Sequence, residues 1–350
     1  MTAIALARRW RRLDRVLLLP LLGAMLATAA LLAVGLGAVA IPPDQALAAL
    51  LGREVDERVA GIVLQLRLPR AVLAICAGAA LGVAGAALQG LLRNPLADPV
   101  LIGVSGGAAF GAVAAIVVGH KLATLLPPEA LRWLVPAAAF AGALAAVTGV
   151  MRLGGAREGS GPGALILAGI AISALASAGI GAFIFMADDR QLRDFIFWNM
   201  GSVAGASWQG LAVAAPLIAL ATGAMLAAAR PLDAILLGER EAGHLGFDVP
   251  AVRRRVIAAV ALAVGAGVAF TGMIAFVGLI VPHLVRLVAG AGHRLLLPAS
   301  ALLGAALLLL ADCAARTVVA PAELPIGLVT SALGTPFFMA LIVRRRSALG

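Results

Sequence analysis

Residue types that catalyse reactions or bind metals are sparse in this chain. Its single lysine, Lys121, follows His120, whereas the phosphate-binding P-loop of an ATPase needs a glycine before its lysine. The histidines are scattered and form no HExxH zinc motif: His120, His244, His283 and His293. The sequence therefore predicts a protein that is not an enzyme, with no catalytic residue, no metal site and no permanently bound cofactor.

One acid and one base lie within an apolar segment. Asp312 and Arg316 are four residues apart in "LLLADCAARTVV", so they share one face of a helix. Acids buried in a membrane are typical of ion-coupled transporters, but a self-neutralising structural pair fits this spacing equally well. Because such acids are otherwise scarce, the pattern favours a translocation pathway without its own energy source.

The stretch "RNPLADPVLIGVSGGAAFG", residues 93–111, is a polar interruption between two long apolar runs. Pro95 and Pro99 hold Asn94 and Asp98 in extended or turn geometry. A tight turn is one interpretation. The functional interpretation is a rigid loop at the inner mouth of a pathway.

The longest loop on the side that we predict to be cytoplasmic is "RPLDAILLGEREAGHLGFDVPAVRRR", residues 230–255. Its pattern predicts two short amphipathic helices broken at glycine. Such helices could lie flat on lipid. However, the glutamates Glu239 and Glu241 are disfavoured next to an anionic membrane surface. Docking into a groove of a partner protein fits the loop better.

Long apolar runs position these loops. The chain is 62% hydrophobic and 13% charged, and its mean hydropathy of +1.05 excludes an ordinary soluble domain. The runs are continuous and rich in Ala, Leu and Gly, which predicts helices rather than a β-barrel. We expect an all-α polytopic membrane protein, one domain over residues 1–350, with ten transmembrane helices near 16–40, 68–92, 99–119, 133–151, 163–185, 208–229, 256–272, 273–289, 295–318 and 324–343. The first run is too long for a signal peptide, so we expect it to be an uncleaved span.

The distribution of arginine decides the number of spans. Residues 256–285 carry no charge and could form one long tilted helix or two shorter ones. With two helices, the side that holds both termini carries twice as many basic residues as the other side. A single helix would divide them almost evenly. We therefore predict that both termini are cytoplasmic, and that the net charge of +10 reflects orientation rather than nucleic-acid binding.

Several long motifs resemble those of FecCD-type permeases, which import heme, iron-siderophores and vitamin B12. They include "RLPRAVLAICAGAALGVAGAALQGLLRNPLADPVLIGVSGGA", "GHLGFDV", "GMIAFVGLIVPHLVRL" and "AELPIGLVTSALGTPFF". The resemblance covers nearly the whole chain in the right order. It implies the membrane subunit of a type II ABC importer in the bacterial inner membrane, surrounded by lipid. Two copies form the pathway, two ATP-binding-cassette ATPase subunits bind ATP below, and a periplasmic substrate-binding protein docks above.

The resemblance also implies roles for particular residues. A coupling loop at about 230–252 docks in the ATPase through Leu237, Gly238, Glu239, Arg240, Glu241, His244, Leu245 and Gly246. Asn94 and Leu96 match positions that form a cytoplasmic gate. Arg67, Arg70 and Arg316 match arginines that pair with glutamates of the binding protein; interfacial snorkelling is the structural alternative for Arg67 and Arg70.

The segment "ADDRQLRDFIFWNMGS", residues 187–202, resembles heme permeases more than vitamin B12 permeases. We therefore expect heme as the transported substrate. The same machine carrying a ferric siderophore or vitamin B12 is the alternative, and a self-contained ion-coupled transporter is the alternative from a different class.

Overall fold

The computed structural model describes residues 3–37, 39–122, 127–154 and 162–346. Both ends of the predicted domain, residues 1–2 and 347–350, lie outside these ranges. Within the described ranges the regular structure is helical throughout. The α-helices are α1 (Ala3–Gly35), α2 (Pro43–Leu50), α3 (Glu57–Gly61), α4 (Leu68–Leu91), α5 (Val104–Leu122), α6 (Pro128–Gly154), α7 (Pro162–Met186), α8 (Asp189–Met200), α9 (Trp208–Ala227), α10 (Ala229–Leu237), α11 (Glu239–His244), α12 (Val249–Thr271), α13 (Val277–Ala289), α14 (His293–Thr317) and α15 (Ile326–Arg346). A π-helix (Ile62–Arg67) joins α3 to α4, and a 3-10 helix (Pro99–Ile102) precedes α5.

Helices long and apolar enough to cross a membrane dominate the described part of the chain. There are 7 of them: Val16–Gly35, Glu57–Leu91, Pro128–Gly154, Gly163–Met186, Trp208–Ala227, Val249–Thr271 and His293–Thr317. Shorter apolar helices occupy the places of the remaining predicted spans: Val104–Gly119, Val277–Ala289 and Ile326–Ala340. The all-helical, multi-pass class is therefore confirmed, while the count of ten spans and the cytoplasmic termini stay predictions.

The uncharged stretch at 256–285 contains a break. α12 ends at Thr271, and α13 begins at Val277. Gly272 and Phe276 both have positive φ, at 65° and 67°. These left-handed residues turn the chain out of the helix, so the alternative of one long helix is wrong. The freed carbonyl of Thr271 accepts a hydrogen bond from the backbone N–H of Ser202 at 2.7 Å.

α4 and α14 pack together in the centre of the bundle through glycines. A Cβ atom on Gly78 would lie 2.3 Å from the carbonyl oxygen of Gly304, and one on Gly82 would lie 2.2 Å from that of Ser300. Membrane helices gain packing energy when small residues let their backbones approach closely. This packing holds α14 along its length. One part of α14 contacts α10, and another part contacts α1.

Candidate functional site

The segment predicted to dock on a partner, residues 230–252 and here called the coupling segment, contains two short helices as the sequence predicts. α10 and α11 meet at Gly238, whose φ is 136°, and Gly246 follows α11 with φ 87°. Glycine adopts such angles without steric cost, because it has no Cβ atom. The two glycines therefore set the bends of the coupling segment.

One face of the coupling segment is buried, and another exposes apolar side chains. Leu232 and Ile235 are fully buried. Leu237 is 70% exposed and Leu245 is 61% exposed, near the two ends of α11. Polar residues of the segment are exposed as well: Arg240, Glu241 and His244. Exposed leucines framed by polar residues are typical of a surface that docks into an apolar groove.

Glu239 has an internal partner. Its Oε1 atom lies 2.7 Å from Nη2 of Arg253, which belongs to α12. This ion pair ties the start of α11 to α12, so Glu239 anchors the coupling segment within the chain. Its role in contacting an ATPase stays a prediction.

A partly buried contact that the sequence did not indicate joins the coupling segment to the core. Oδ1 of Asp233 accepts hydrogen bonds from the backbone N–H of His293, at 2.6 Å, and from its Nδ1 atom, at 2.9 Å. His293 is 1% exposed and is the first residue of α14. The carboxylate therefore caps a helix that lacks a side-chain cap of its own. Sixty residues separate the partners, so no local pattern could reveal them.

The same end of the molecule contains a small cavity of about 240 Å³. Gln89 in its wall accepts a hydrogen bond from Nη2 of Arg286 at 2.8 Å and donates one to the carbonyl oxygen of Gly278 at 3.3 Å. Arg93 of the loop after α4 and Leu236 of the coupling segment also line it. The predicted gate loop and the coupling segment are therefore neighbours in the fold.

The predicted gate loop is a rigid turn. The Oδ1 atom of Asn94 accepts a hydrogen bond from the backbone N–H of Leu96 at 3.0 Å, and Arg93 has a φ of 48°. Asp98 likewise accepts from the backbone N–H of Val100 at 3.0 Å, and burial raises the pKa of its carboxyl group. Leu96 is 43% exposed. The side chain is available to close a path, and the gating role of Asn94 and Leu96 stays a prediction.

At the opposite end, Arg67 holds the chain that follows α1. Its guanidinium donates to the carbonyl oxygens of Val34, at 2.7 Å, of Gly35, at 2.8 Å, and of Val39. Arg67 is only 6% exposed. The arginine thus satisfies the free carbonyls at the end of a helix, which would otherwise lack donors.

Arg70 and Arg316 share the buried carboxylate of Asp312. Nη2 of Arg70 lies 2.9 Å from Asp312, and Nε of Arg316 lies 3.2 Å from it without a well-aligned hydrogen bond. Arg316 also donates to the carbonyl oxygen of Ala33 at 2.9 Å. Arg70 additionally contacts Glu323, which is 44% exposed, at 2.9 Å. The pairing of Asp312 with Arg316 that helical spacing predicted is therefore confirmed. We name Arg70, Asp312, Arg316 and Glu323 the arginine cluster.

The binding-protein role predicted for Arg67, Arg70 and Arg316 stays a prediction. All three guanidinium groups are engaged within the chain. Only Arg70 has a partner, Glu323, at the exposed surface.

A larger cavity of about 630 Å³ borders the break between α12 and α13. Its wall carries small polar and thioether side chains without any charge: Asn199, Met200, Met273, Ser331 and Thr335. Broken membrane helices commonly border substrate paths, because their free backbone groups face a cavity rather than lipid. No local pattern in the sequence places these residues together, because they lie on three separate elements of the fold.

Comparison with known proteins agrees with this arrangement. The model of the FecCD transport family matches residues 25–344. The hemin transport system permease protein HmuU of Yersinia pestis is 48% identical over 286 residues, which cover 81% of this chain and 84% of that protein. The cobalamin import system permease protein BtuC of Halobacterium salinarum is 43% identical over 289 residues, which cover 82% and 75%.

A solved structure supports the same assignment. An inward-facing structure described as a metal-chelate type ABC transporter matches with a TM-score of 0.81 and 32% sequence identity. The match covers 93% of this chain and 98% of that one. The resemblance that the motifs indicated is thereby confirmed: the chain belongs to the FecCD transport family.

Proposed function

We propose that the chain is the permease subunit of an ATP-binding-cassette importer that moves heme from the periplasm to the cytoplasm. Two copies form the pathway in the bacterial inner membrane, with one ATPase subunit bound to each. The exposed leucines of the coupling segment carry this proposal, because Leu237 and Leu245 offer an apolar surface next to a buried anchor. Membership of the FecCD transport family supports it.

In the proposed mechanism, closure of the ATPase pair pushes the coupling segment against the core. The push reaches α14 through the short contact between Asp233 and His293, of which His293 is buried. It reaches the gate loop through the wall of the small cavity, which Leu236 and Arg93 share. The pathway then alternates between outward and inward access.

Similarity to a hemin permease supports heme as the proposed substrate. HmuU, named as a hemin permease, is 48% identical to this chain, and BtuC, named as a cobalamin permease, is 43% identical. In the described residues no group of three His, Cys, Asp or Glu side chains could hold a metal ion. The uncharged wall of the larger cavity suits a path that releases an iron chelate rather than one that retains it. Vitamin B12 is the second candidate because of the BtuC similarity.

On the outer face we propose that the substrate-binding protein contacts the arginine cluster, with Arg70 and Glu323 nearest to it. Arg67 and Arg316 are buried, so they support that surface from within the fold. Individual exposed ion pairs contribute less than about 1 kcal/mol, so the cluster guides orientation and encounter more than affinity.

Transport in proteoliposomes tests this proposal. The chain is reconstituted with the ATPase subunit and the binding protein encoded with it, and ATP-driven uptake of hemin, cobalamin and a ferric siderophore is compared. We expect hemin uptake that stops when the ATPase carries a hydrolysis-blocking substitution. ATP-driven uptake of cobalamin alone would replace heme with vitamin B12. Uptake driven by an ion gradient without ATP would refute the importer.

A further inference from the structure

Two surface grooves flank α12 and are separate from the cavities described above. Pro231 and Val252 of the coupling segment line one of them. The first lies between α6 and α12 and encloses about 460 Å³. Its wall includes Leu144, Val147, Met151, Ala258 and Ala261, with Arg152 and Arg254 at one end. The second lies between α9 and α12, encloses about 570 Å³, and has Arg255 near its end. Ala258 lines both grooves.

The arginines of these grooves are exposed and have no hydrogen bond or ion pair with any described residue. Arg253, their neighbour in the chain, does have a partner in Glu239. Among the residues that the structure describes, no acidic side chain lines either groove. The guanidinium groups of Arg152 and Arg254 are therefore available to an anion, and no described residue of the groove would pair with the ammonium group of a zwitterionic lipid.

The dimensions of the first groove match half of a membrane. Leu144 and Arg152 are eight residues apart on α6, which corresponds to roughly 12 Å along the helix axis. One leaflet provides about 15 Å of hydrocarbon. Thr148 does not make the wall polar, because its hydroxyl donates to the carbonyl oxygen of Leu144 at 2.7 Å. The groove is thus apolar over most of a leaflet and cationic at the end predicted to be cytoplasmic.

We infer that the groove between α6 and α12 binds an anionic glycerophospholipid of the inner leaflet. The guanidinium groups of Arg152 and Arg254 hold its phosphate, and an acyl chain lies along the wall formed by Met151 and Ala261. Basic pockets between membrane helices on the cytoplasmic side select anionic headgroups in this way. Arg254 follows Arg253, so the bound lipid steadies the part of α12 to which Glu239 anchors the coupling segment.

Native mass spectrometry of the full-length chain in detergent tests the inference. The protein is titrated with phosphatidylglycerol or with phosphatidylcholine of the same acyl chains at low salt. Each arginine near an anionic headgroup contributes about fivefold, so we expect roughly 25-fold tighter binding of phosphatidylglycerol. The R152Q/R254Q variant should lose this preference. R294Q should keep it, because Arg294 is also an exposed arginine of the same predicted side, and it is not among the residues that line either groove.

A second variant separates the groove from general surface charge. A258L retains all the arginines and fills the groove, so it should lower binding of both lipids. Equal binding of the two lipids by the wild-type chain would overturn the inference. So would loss of the preference in R294Q, or full binding by A258L. Because A258L does not touch the arginines, the test remains decisive if R152Q/R254Q fails to fold.

Discussion

The buried carboxylate of Asp312 is the most sharply testable part of the arginine cluster. It is 1% exposed and lies between Arg70 and Arg316, with contacts of 2.9 and 3.2 Å. Asp312→Asn keeps the shape of the side chain but removes the only buried negative charge of the cluster. Removing one partner of a buried ion pair typically costs about 3–5 kcal/mol, because the remaining charge stays desolvated.

Asn can still accept a hydrogen bond, so we expect the lower end of that range, about 3 kcal/mol. Every 1.4 kcal/mol is a tenfold change in an equilibrium constant, so the unfolded fraction should rise roughly 100-fold. Glu323→Gln is the matched control, because it removes the second acid bound to Arg70 at the same 2.9 Å. Glu323 is 44% exposed, and an exposed pair contributes less than about 1 kcal/mol.

Detergent-solubilised fusions to a fluorescent protein, heated and then separated by size, measure the melting temperature of both variants. Asp312→Asn should melt clearly below the wild-type chain, and Glu323→Gln should melt close to it. Equal losses in the two variants would refute the argument that burial makes Asp312 important. An unchanged Asp312→Asn would show that water reaches the carboxylate.

Three further variants test the core and the coupling segment. Gly78→Ala should lower the free energy of unfolding by about 1–3 kcal/mol, because its Cβ atom would lie 2.3 Å from the carbonyl oxygen of Gly304. Gly223→Ala is the control: its Cβ atom would meet no atom within 4 Å, so it should not lower the melting temperature. Leu237→Asp combined with Leu245→Asp should prevent co-purification of an ATPase subunit while the chain stays folded. Leu51→Asp is the control, at a leucine that is 59% exposed in the loop after α2. An ATPase subunit retained by the double variant would contradict the docking role. Asp233→Ala should cost about 1–3 kcal/mol, because it leaves the backbone N–H and Nδ1 of His293 without their acceptor. Asp233→Asn should cost less, because its amide oxygen still accepts; an unchanged melting temperature in Asp233→Ala would show that the contact with His293 is dispensable.

Local patterns in the sequence predicted the helices, the glycine bends of the coupling segment and the contact between Asp312 and Arg316. Each of these depends on residues that are close in the chain, where helical period and backbone freedom decide the outcome. The arginine distribution also favoured two helices over one at 256–285, and the structure has the break there. The side of the membrane assigned to each loop stays a prediction.

Contacts between distant residues could not be predicted in this way. Arg70 joins Asp312 across 242 residues, and Asp233 reaches His293 across sixty. The spacing of small residues in α4 is typical of close packing, but it does not name Gly304 as the partner of Gly78. The burial of Arg67 could not be predicted either. Its guanidinium group is buried because it binds carbonyl oxygens at and just after the end of α1.

The most direct test of the central claim is the composition of the complex that the chain forms in its native membrane. The tagged full-length chain is purified gently, and the proteins bound to it are identified and counted by mass spectrometry. The proposed coupling segment predicts one ATPase subunit per permease chain, in an assembly with two copies of each. A stable, folded chain that retains no ATPase subunit, even after crosslinking in the membrane, would contradict the importer and favour an ion-coupled carrier.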